Sequence, residues 1–206
     1  MPDLGKLIVF EGADGVGKST LVGRTEALLK TSGVLFESYS FPGKAVGSLG
    51  WVVDQIQHDR HSFGLTGLTP LSVQALHIAA HLDHIESRIL PKLSSGNWVI
   101  LDRLWWSTWV YGTVDNVNSA VLETLISAEK QAWGSTVPSA VFLVSRTSSL
   151  RPEHTEDKHA RLSALYRSIG DREEPNHPVY HISHDTIEES VEMIGQVFTN
   201  LGLPSA

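Results

Sequence analysis

The chain has 206 residues, and 16 Lys and Arg against 23 Asp and Glu leave a formal net charge of −7. An acidic balance of this kind lacks the electrostatic footprint of a nucleic-acid binder, so any anionic ligand must be held by a few placed cations and backbone N–H groups. Cysteine is absent, which excludes disulfides, thiolate metal sites and cysteine nucleophiles, and no apolar run approaches the ~20 residues a membrane helix needs.

In chain order, the apolar Leu7-Ile8-Val9-Phe10 predicts a first strand over 6–11; no signal peptide is expected ahead of it, which makes a cytoplasmic protein the expectation. A helical pattern follows from Leu21 to Leu29, then a second strand over 34–40 and a glycine-rich loop over 41–50. Thr69-Pro70 reads as a helix start, with Thr69 as N-cap and Pro70 in the first helical position, and that helix runs toward Lys92. A strand over 98–102, a helix over about 118–133 and a strand over 139–144 come next. The polar stretch at about 147–160 reads as a mobile lid, and a fifth strand covers 179–183. The last helix opens with Asp185 and Glu188 in capping-box spacing, carries the stripe Ile187, Val191, Ile194, Phe198 and Leu201, and ends at Gly202. The strand runs are near-continuously apolar and alternate with helices, which predicts an α/β domain over 1–206 with a parallel sheet covered on both faces.

Between the first strand and the first helix, Gly12-Ala13-Asp14-Gly15-Val16-Gly17-Lys18-Ser19 fits the phosphate-loop pattern G-x-x-x-x-G-K-[ST] at every required place. Glycine lets the backbone wrap a phosphate, successive N–H groups point inward, and the helix beginning near Lys18 adds its positive end. Lys18 would reach the β- and γ-phosphates and Ser19 would ligand Mg²⁺. Kinases, motor ATPases, GTPases and nucleotide sensors all carry such a loop, but no guanine-reading signature follows a strand here.

The run from Phe10 through Glu11 and the phosphate loop to Thr20 resembles the opening of the thymidylate kinase family. A second stretch is similar without a gap: Ala79-Ala80-His81, Glu86, Pro91, Leu93, Gly96, Trp98-Val99-Ile100, Asp102-Arg103, and then Ser107 to Gly112. Phe41-Pro42-Gly43, the spacing of Arg161 and Tyr166, and His181-Ile182-Ser183 agree in kind. The resemblance implies a three-layer P-loop kinase fold with a five-stranded parallel sheet, helices on both faces and a short lid. It also implies ATP and Mg²⁺ at Gly12 to Thr20, a nucleoside monophosphate opposite with a pyrimidine base favoured, and a homodimer. Asp102 is then the carboxylate that orients Mg²⁺ beside Ser19, and Arg103 the acceptor-phosphate arginine; a surface Asp–Arg pair is the plainer alternative. Asp14 would face the acceptor, or be a solvated turn residue. Gly15 places the chain with members that supply the catalytic arginine from the lid. Arg146, Arg151 and Arg161 are the candidates, Arg151 first.

The base pocket departs from the family's pattern. The stacking aromatic aligns with His77, the base-contacting arginine with His81, and the amide that pairs with the thymine edge falls at Trp109. The arginine of the acceptor-phosphate loop falls at Ser40, where Lys44 could substitute, and Tyr111 completes the expected substrate set. Trp105, Trp106 and Trp109 either make a more aromatic pocket or pack the core. His77, His81 and His84 share a helix face, which suits a pocket lining better than a metal site because a ligand from another element is not evident. His58, His61, His177, His181 and His184 read as surface or loop residues. The leading expectation is phosphorylation of dTMP or a related pyrimidine nucleotide. A kinase for a modified nucleotide, a non-catalytic ATP-binding protein and, more weakly, a deoxynucleoside kinase are the alternatives.

Overall fold

A computed structural model describes residues 4–152 and 155–203. Five strands form one all-parallel sheet in the order β2-β3-β1-β4-β5. They are β1 (Leu7–Glu11), β2 (Phe36–Ser40), β3 (Trp98–Asp102), β4 (Ala140–Ser145) and β5 (Val179–Ser183). Ile8, Val9, Phe10, Val99 and Ile100 are fully buried, as the uninterrupted apolar runs require of strands covered on both faces. β2 starts two residues later than the apolar run suggests, because the Val34 amide still closes the preceding helix on the Leu29 carbonyl.

The helices are α1 (Lys18–Thr31), α2 (Leu49–His58), α3 (Pro70–His84), α4 (Leu90–Ser94), α5 (Trp105–Val114), α6 (Ser119–Trp133), α7 (Glu156–Glu173) and α8 (Ile187–Asn200). Thr69 caps α3 as expected, its Oγ1 accepting the Ser72 amide at 3.2 Å. The long helix toward Lys92 is not continuous. A wider turn over Ile85–Ile89 separates α3 from α4 and brings the Leu90 amide to the Ile85 carbonyl, five residues back. Pro91 has no N–H to donate and its ring crowds the carbonyl four residues earlier, so an ordinary α-turn cannot pass it unstrained.

Two further expectations are corrected. The first turn of α8 is not capped by Asp185: Thr186 is its N-cap, and Thr186 Oγ1 donates to Glu189 at 2.6 Å. Asp185 instead accepts the Thr147 amide and hydroxyl and the Ser183 hydroxyl, tying the end of β5 to the segment after β4. The stretch expected as a lid over about 147–160 includes residues 153 and 154, which lie outside the described residues, and its last part is helical. Thr155 caps α7 by accepting the Lys158 amide at 3.2 Å.

β1 lies at the centre of the sheet, with the chain continuing to one side and later to the other. In an open parallel sheet the crevice at the carboxyl ends of such strands is where ligands bind. β1 and β3 are direct neighbours, with Phe10 opposite Asp102, so the phosphate loop and the Asp102-Arg103 pair leave the sheet side by side.

Candidate functional site

A cleft of about 950 Å³ opens at this end of the sheet, lined at one end by the phosphate loop and at the other by α2, α3 and α5. Gly17 precedes α1 with φ +93, and a Cβ there would sit 2.4 Å from the His184 ring, so only glycine lets that ring close over the loop. His184 is therefore not a surface residue: it is buried, and its Nδ1 shares a hydrogen bond with Ser190 at 2.9 Å. Lys18 is buried at the start of α1, its ammonium donating to the Gly12 carbonyl at 2.7 Å and the Ala13 carbonyl at 2.9 Å. Burial and the Arg103 charge pull its pKa down to about 8, against the opposing pull of Asp102, Asp14 and Glu11. A phosphate placed here would restore the charge that burial disfavours.

Arg103 is held in one place by its backbone and by both ends of its side chain. Its φ of +83 is in the left-handed region that residues with a Cβ seldom adopt, and its amide donates to the Phe10 carbonyl at 2.9 Å. One guanidinium nitrogen donates to Ser107 Oγ at 2.8 Å and Tyr166 Oη at 3.3 Å, and the other pairs with Asp14. Tyr111 Oη donates to the second Asp14 oxygen at 2.7 Å and accepts the Asp14 amide at 3.3 Å. Burial pushes the Asp14 carboxyl upward, but Arg103 and the Tyr111 hydroxyl outweigh it and hold the group below the usual range. Asp14 is thus a built part of the site rather than a solvated turn residue, and Asp102-Arg103 is not a surface ion pair.

Beneath this assembly lies Glu11, for which no role was expected. It is fully buried and accepts the Leu104 amide at 2.7 Å, the Ser107 amide at 3.1 Å and the Ser107 hydroxyl at 2.8 Å. Leu104 has no side-chain cap to offer α5, so Glu11 supplies from β1 the acceptor that the helix start lacks. Burial raises its pKa, and the Arg103 charge and these donors work against that rise. A carboxylate ending an otherwise apolar strand was the available signal.

Asp102 lines the cleft at the end of β3, and its Oδ1 is buried without a hydrogen-bond partner. With the Ser19 hydroxyl on the same cleft, it makes the hard oxygen donor set that Mg²⁺ prefers, so the residues present fit the ion. Lys44, His77, His81 and Arg151 also line the cleft. A Cβ at Gly15 would lie 2.4 Å from Ser149 Oγ and 2.9 Å from Arg151 Cγ, so the segment carrying Arg151 packs directly against the glycine of the loop. Arg146 is turned away, donating to the His184 carbonyl at 3.0 Å, and Arg161 is exposed on α7 outside the lining.

The acceptor end differs most from expectation. Trp109 does not line the cleft; it packs beneath the Arg172 guanidinium, 5.0 Å from its ring centre. On α5 the residues that reach the cleft are Ser107, Thr108, Tyr111 and Asp115, and a side chain one position after Thr108 points about 100° away. Trp105 and Trp106 are core residues, with Lys130 stacked 3.9 Å over the Trp105 ring. His81 reaches the cleft but is committed elsewhere: its Nδ1 donates to the buried Glu129 of α6 at 2.7 Å, and its ring stacks on Phe41 at 4.0 Å. His84 packs edge-on against Tyr39, and no metal-holding cluster of His, Asp and Glu occurs among the described residues. His77 Nε2 shares a hydrogen bond with Gln57 at 2.7 Å, and burial, His81 and Arg103 lower its pKa to about 3, which keeps the ring neutral.

The family model for thymidylate kinase matches residues 10–174, which include the phosphate loop, the Asp102-Arg103 pair and the whole acceptor end. The chain belongs to the thymidylate kinase family. A thymidylate kinase of Bartonella quintana is 35% identical over 141 residues, 68% of this chain and 62% of that relative. One of a Bradyrhizobium species is 32% identical over 126 residues, 60% of this chain and 53% of the relative. One of Bifidobacterium longum subsp. infantis is 30% identical over 167 residues, covering 80% and 70%. The matches to the first two thus span 62% and 53% of those relatives' own lengths. A crystal structure of thymidylate kinase from Ehrlichia chaffeensis superposes with a TM-score of 0.72 at 22% identity, over 95% of this chain and 98% of that one, and shows the P-loop kinase fold of the family. In this family member no helix among the described residues is long and apolar enough to cross a membrane.

Proposed function

We propose that the protein transfers the γ-phosphoryl group of ATP to a nucleoside monophosphate, dTMP or a related pyrimidine nucleotide. The observation that carries this reading is Arg103, a partly buried cation held by Asp14, Ser107 and Tyr166 in the cleft that also contains Lys18. A non-catalytic nucleotide sensor has no need of a second, rigidly placed cation facing the phosphate loop.

Phosphoryl transfer of this kind depends on alignment and charge neutralisation more than on covalent chemistry. The Gly12 to Thr20 loop and Lys18 hold the donor's phosphates, Arg103 and Lys44 receive the acceptor's phosphate, and Arg151 closes over the transferring group. An oxygen of the acceptor phosphate attacks the γ-phosphorus in line, the bond to the β-phosphate bridging oxygen breaks, and ADP leaves. Ser19 and Asp102 would hold Mg²⁺, which would supply charge neutralisation to the donor's phosphates when bound. Asp14 and Tyr111 keep the Arg103 guanidinium in a single orientation, so little reorganisation is needed as charge develops. A single cytoplasmic domain over 1–206, acting as a homodimer, belongs to the same proposal, and sedimentation at micromolar concentration tests the dimer.

The test is ADP release with ATP and Mg²⁺ across dTMP, dUMP, UMP, dCMP, CMP, AMP, GMP and 5-substituted dUMP analogues. Turnover of dTMP or another pyrimidine monophosphate is the expected result. Turnover confined to a 5-substituted analogue would identify a kinase for a modified nucleotide. Silence on every acceptor, with ATP bound, would refute the assignment.

A further inference from the structure

Neither Glu11 nor Tyr166 lines the cleft, yet both are tied to Arg103 through Ser107. Every hydrogen bond that Glu11 makes among the described residues is one it accepts. Its Oε1 takes the Leu104 amide at 2.7 Å and the Ser107 amide at 3.1 Å. Its Oε2 takes the Ser107 hydroxyl at 2.8 Å and the Gly12 amide at 3.3 Å. Burial raises the Glu11 pKa, and the Arg103 charge and these donors oppose the rise. The Leu104, Ser107 and Gly12 N–H groups cannot reverse, so the surroundings are those of an ionised, acceptor-only carboxylate. Ser107 has a single hydroxyl hydrogen, and the carboxylate takes it. The 2.8 Å contact between Ser107 Oγ and Tyr166 Oη then runs one way only, with the tyrosine donating to the serine.

We infer that Glu11 is a positioning residue for Arg103, acting through an ordered hydroxyl chain from Tyr166 to Ser107 to Glu11. This rests on the proposed function only in taking Arg103 to receive the acceptor's phosphate. With both hydroxyl hydrogens directed toward Glu11, the Ser107 and Tyr166 oxygens turn lone pairs to the same guanidinium nitrogen, which donates to them at 2.8 Å and 3.3 Å. Reversing the chain leaves the buried Tyr166 hydroxyl hydrogen without its acceptor, beside a cation. The carboxylate also places a negative charge one hydroxyl away from the guanidinium, in the interior, where water screens it little. Asp14, the direct ion partner, is by contrast 40% exposed in its side chain. Hydrogen bonds in such a chain polarise one another, so the direction of each affects the next. The residue that supports the start of α5 thereby also aims the arginine.

Glu11→Gln separates the two tasks. Its carboxamide oxygen keeps the Leu104 and Ser107 amides, but an NH₂ in place of Oε2 donates to Ser107 Oγ, so the charge is lost and the chain reverses. Tyr166→Phe removes the far end of the chain without touching the start of α5, and carries both readouts should Glu11→Gln fail to fold. The first readout needs no substrate: nitrogen NMR of the arginine side chains, with the Arg103 signals assigned by their loss in Arg103→Ala. Wild type should show separate Arg103 Nη resonances, the mark of a guanidinium that does not rotate freely, and either variant should merge them. The second readout is dTMP turnover at saturating ATP. kcat/KM for dTMP should fall about tenfold in Glu11→Gln and about threefold in Tyr166→Phe. In Arg103→Ala neither change should cost anything further, because a residue that acts through Arg103 has no effect once Arg103 is gone. Equal losses with and without Arg103 would overturn the inference and leave Glu11 a purely structural residue. So would a Glu11→Gln protein indistinguishable from wild type, or Arg103 signals already averaged in the wild type. Silence of the wild type on every monophosphate refutes the proposed function, and the NMR signals then decide this inference by themselves.

Discussion

The His81–Glu129 contact separates two roles for His81 that the alignment alone leaves together. The pair joins α3 to α6 with side chains 3% and 0% exposed and a 2.7 Å contact to Glu129 Oε2, while Oε1 has no hydrogen-bond partner among the described residues. Replacing His81 by Leu keeps an apolar body against Phe41 but strands a carboxylate in the interior. Breaking a buried pair from one side costs about 3–5 kcal/mol, whereas replacing both members by apolar residues is close to neutral. With a denaturant slope of about 2–3 kcal/mol per molar urea, His81→Leu should move the unfolding midpoint down by about 1–2.5 M. His81→Leu/Glu129→Leu should recover most of that shift, a coupling of about 3 kcal/mol or more. Urea unfolding followed by circular dichroism at neutral pH measures all four corners of the cycle. A midpoint for His81→Leu close to wild type, together with a raised KM for the acceptor, would refute the reasoning and return His81 to the base.

Other outcomes follow from the same geometry. Arg103→Ala should lower kcat/KM for the acceptor by about 100-fold or more while leaving ATP binding near wild type, because Arg103 acts on the acceptor side; steady-state kinetics with each substrate varied decides it. Gly17→Ala places a methyl against the His184 ring in a backbone region that costs about 1–3 kcal/mol, so ATP affinity and melting temperature should both fall, and His184→Ala in the same chain should restore part of the loss. His77 is neutral in the fold with a pKa of about 3 against an ordinary 6.5, so its contribution to stability is complete above pH 6.5 and is lost as pH falls toward 3. Wild type should therefore lose about 2 kcal/mol more than His77→Gln between pH 7.5 and pH 5, read from paired urea titrations.

Much of the fold was legible because its signals are local. Each predicted strand lies within two residues of its expected bounds, and the central strands β1, β3 and β4, buried on both faces, need nothing beyond their own side chains to declare themselves. The phosphate loop was legible for the same reason: its residues are consecutive and its ligands are mostly backbone groups. What failed locally failed through competition. Asp185 has the spacing of a capping residue, but three donors on Thr147 and Ser183 compete for its carboxylate, and the helix begins one residue later on Thr186. Pro91 was visible in the helical pattern, yet the pattern cannot state that the chain accommodates it by widening a turn rather than ending the helix.

The acceptor end was less legible because each decision there is made by two elements at once. Whether position 108 or 109 enters the cleft depends on the phase of α5, and Glu11 sets that phase from β1 by accepting the Leu104 and Ser107 amides. Whether His81 can read a base depends on Glu129, 48 residues away on another helix. The two ends of the cleft consequently tolerate change differently. A substitution in the loop breaks a run of backbone donors that no other residue can supply. A substitution on α3 or α5 alters one side chain among several facing the same space. On the proposed function, transfer chemistry can then be kept while the choice of base changes, since the Arg103 assembly has its partners placed while the histidine aligned with the family's base-contacting arginine is tied to the core.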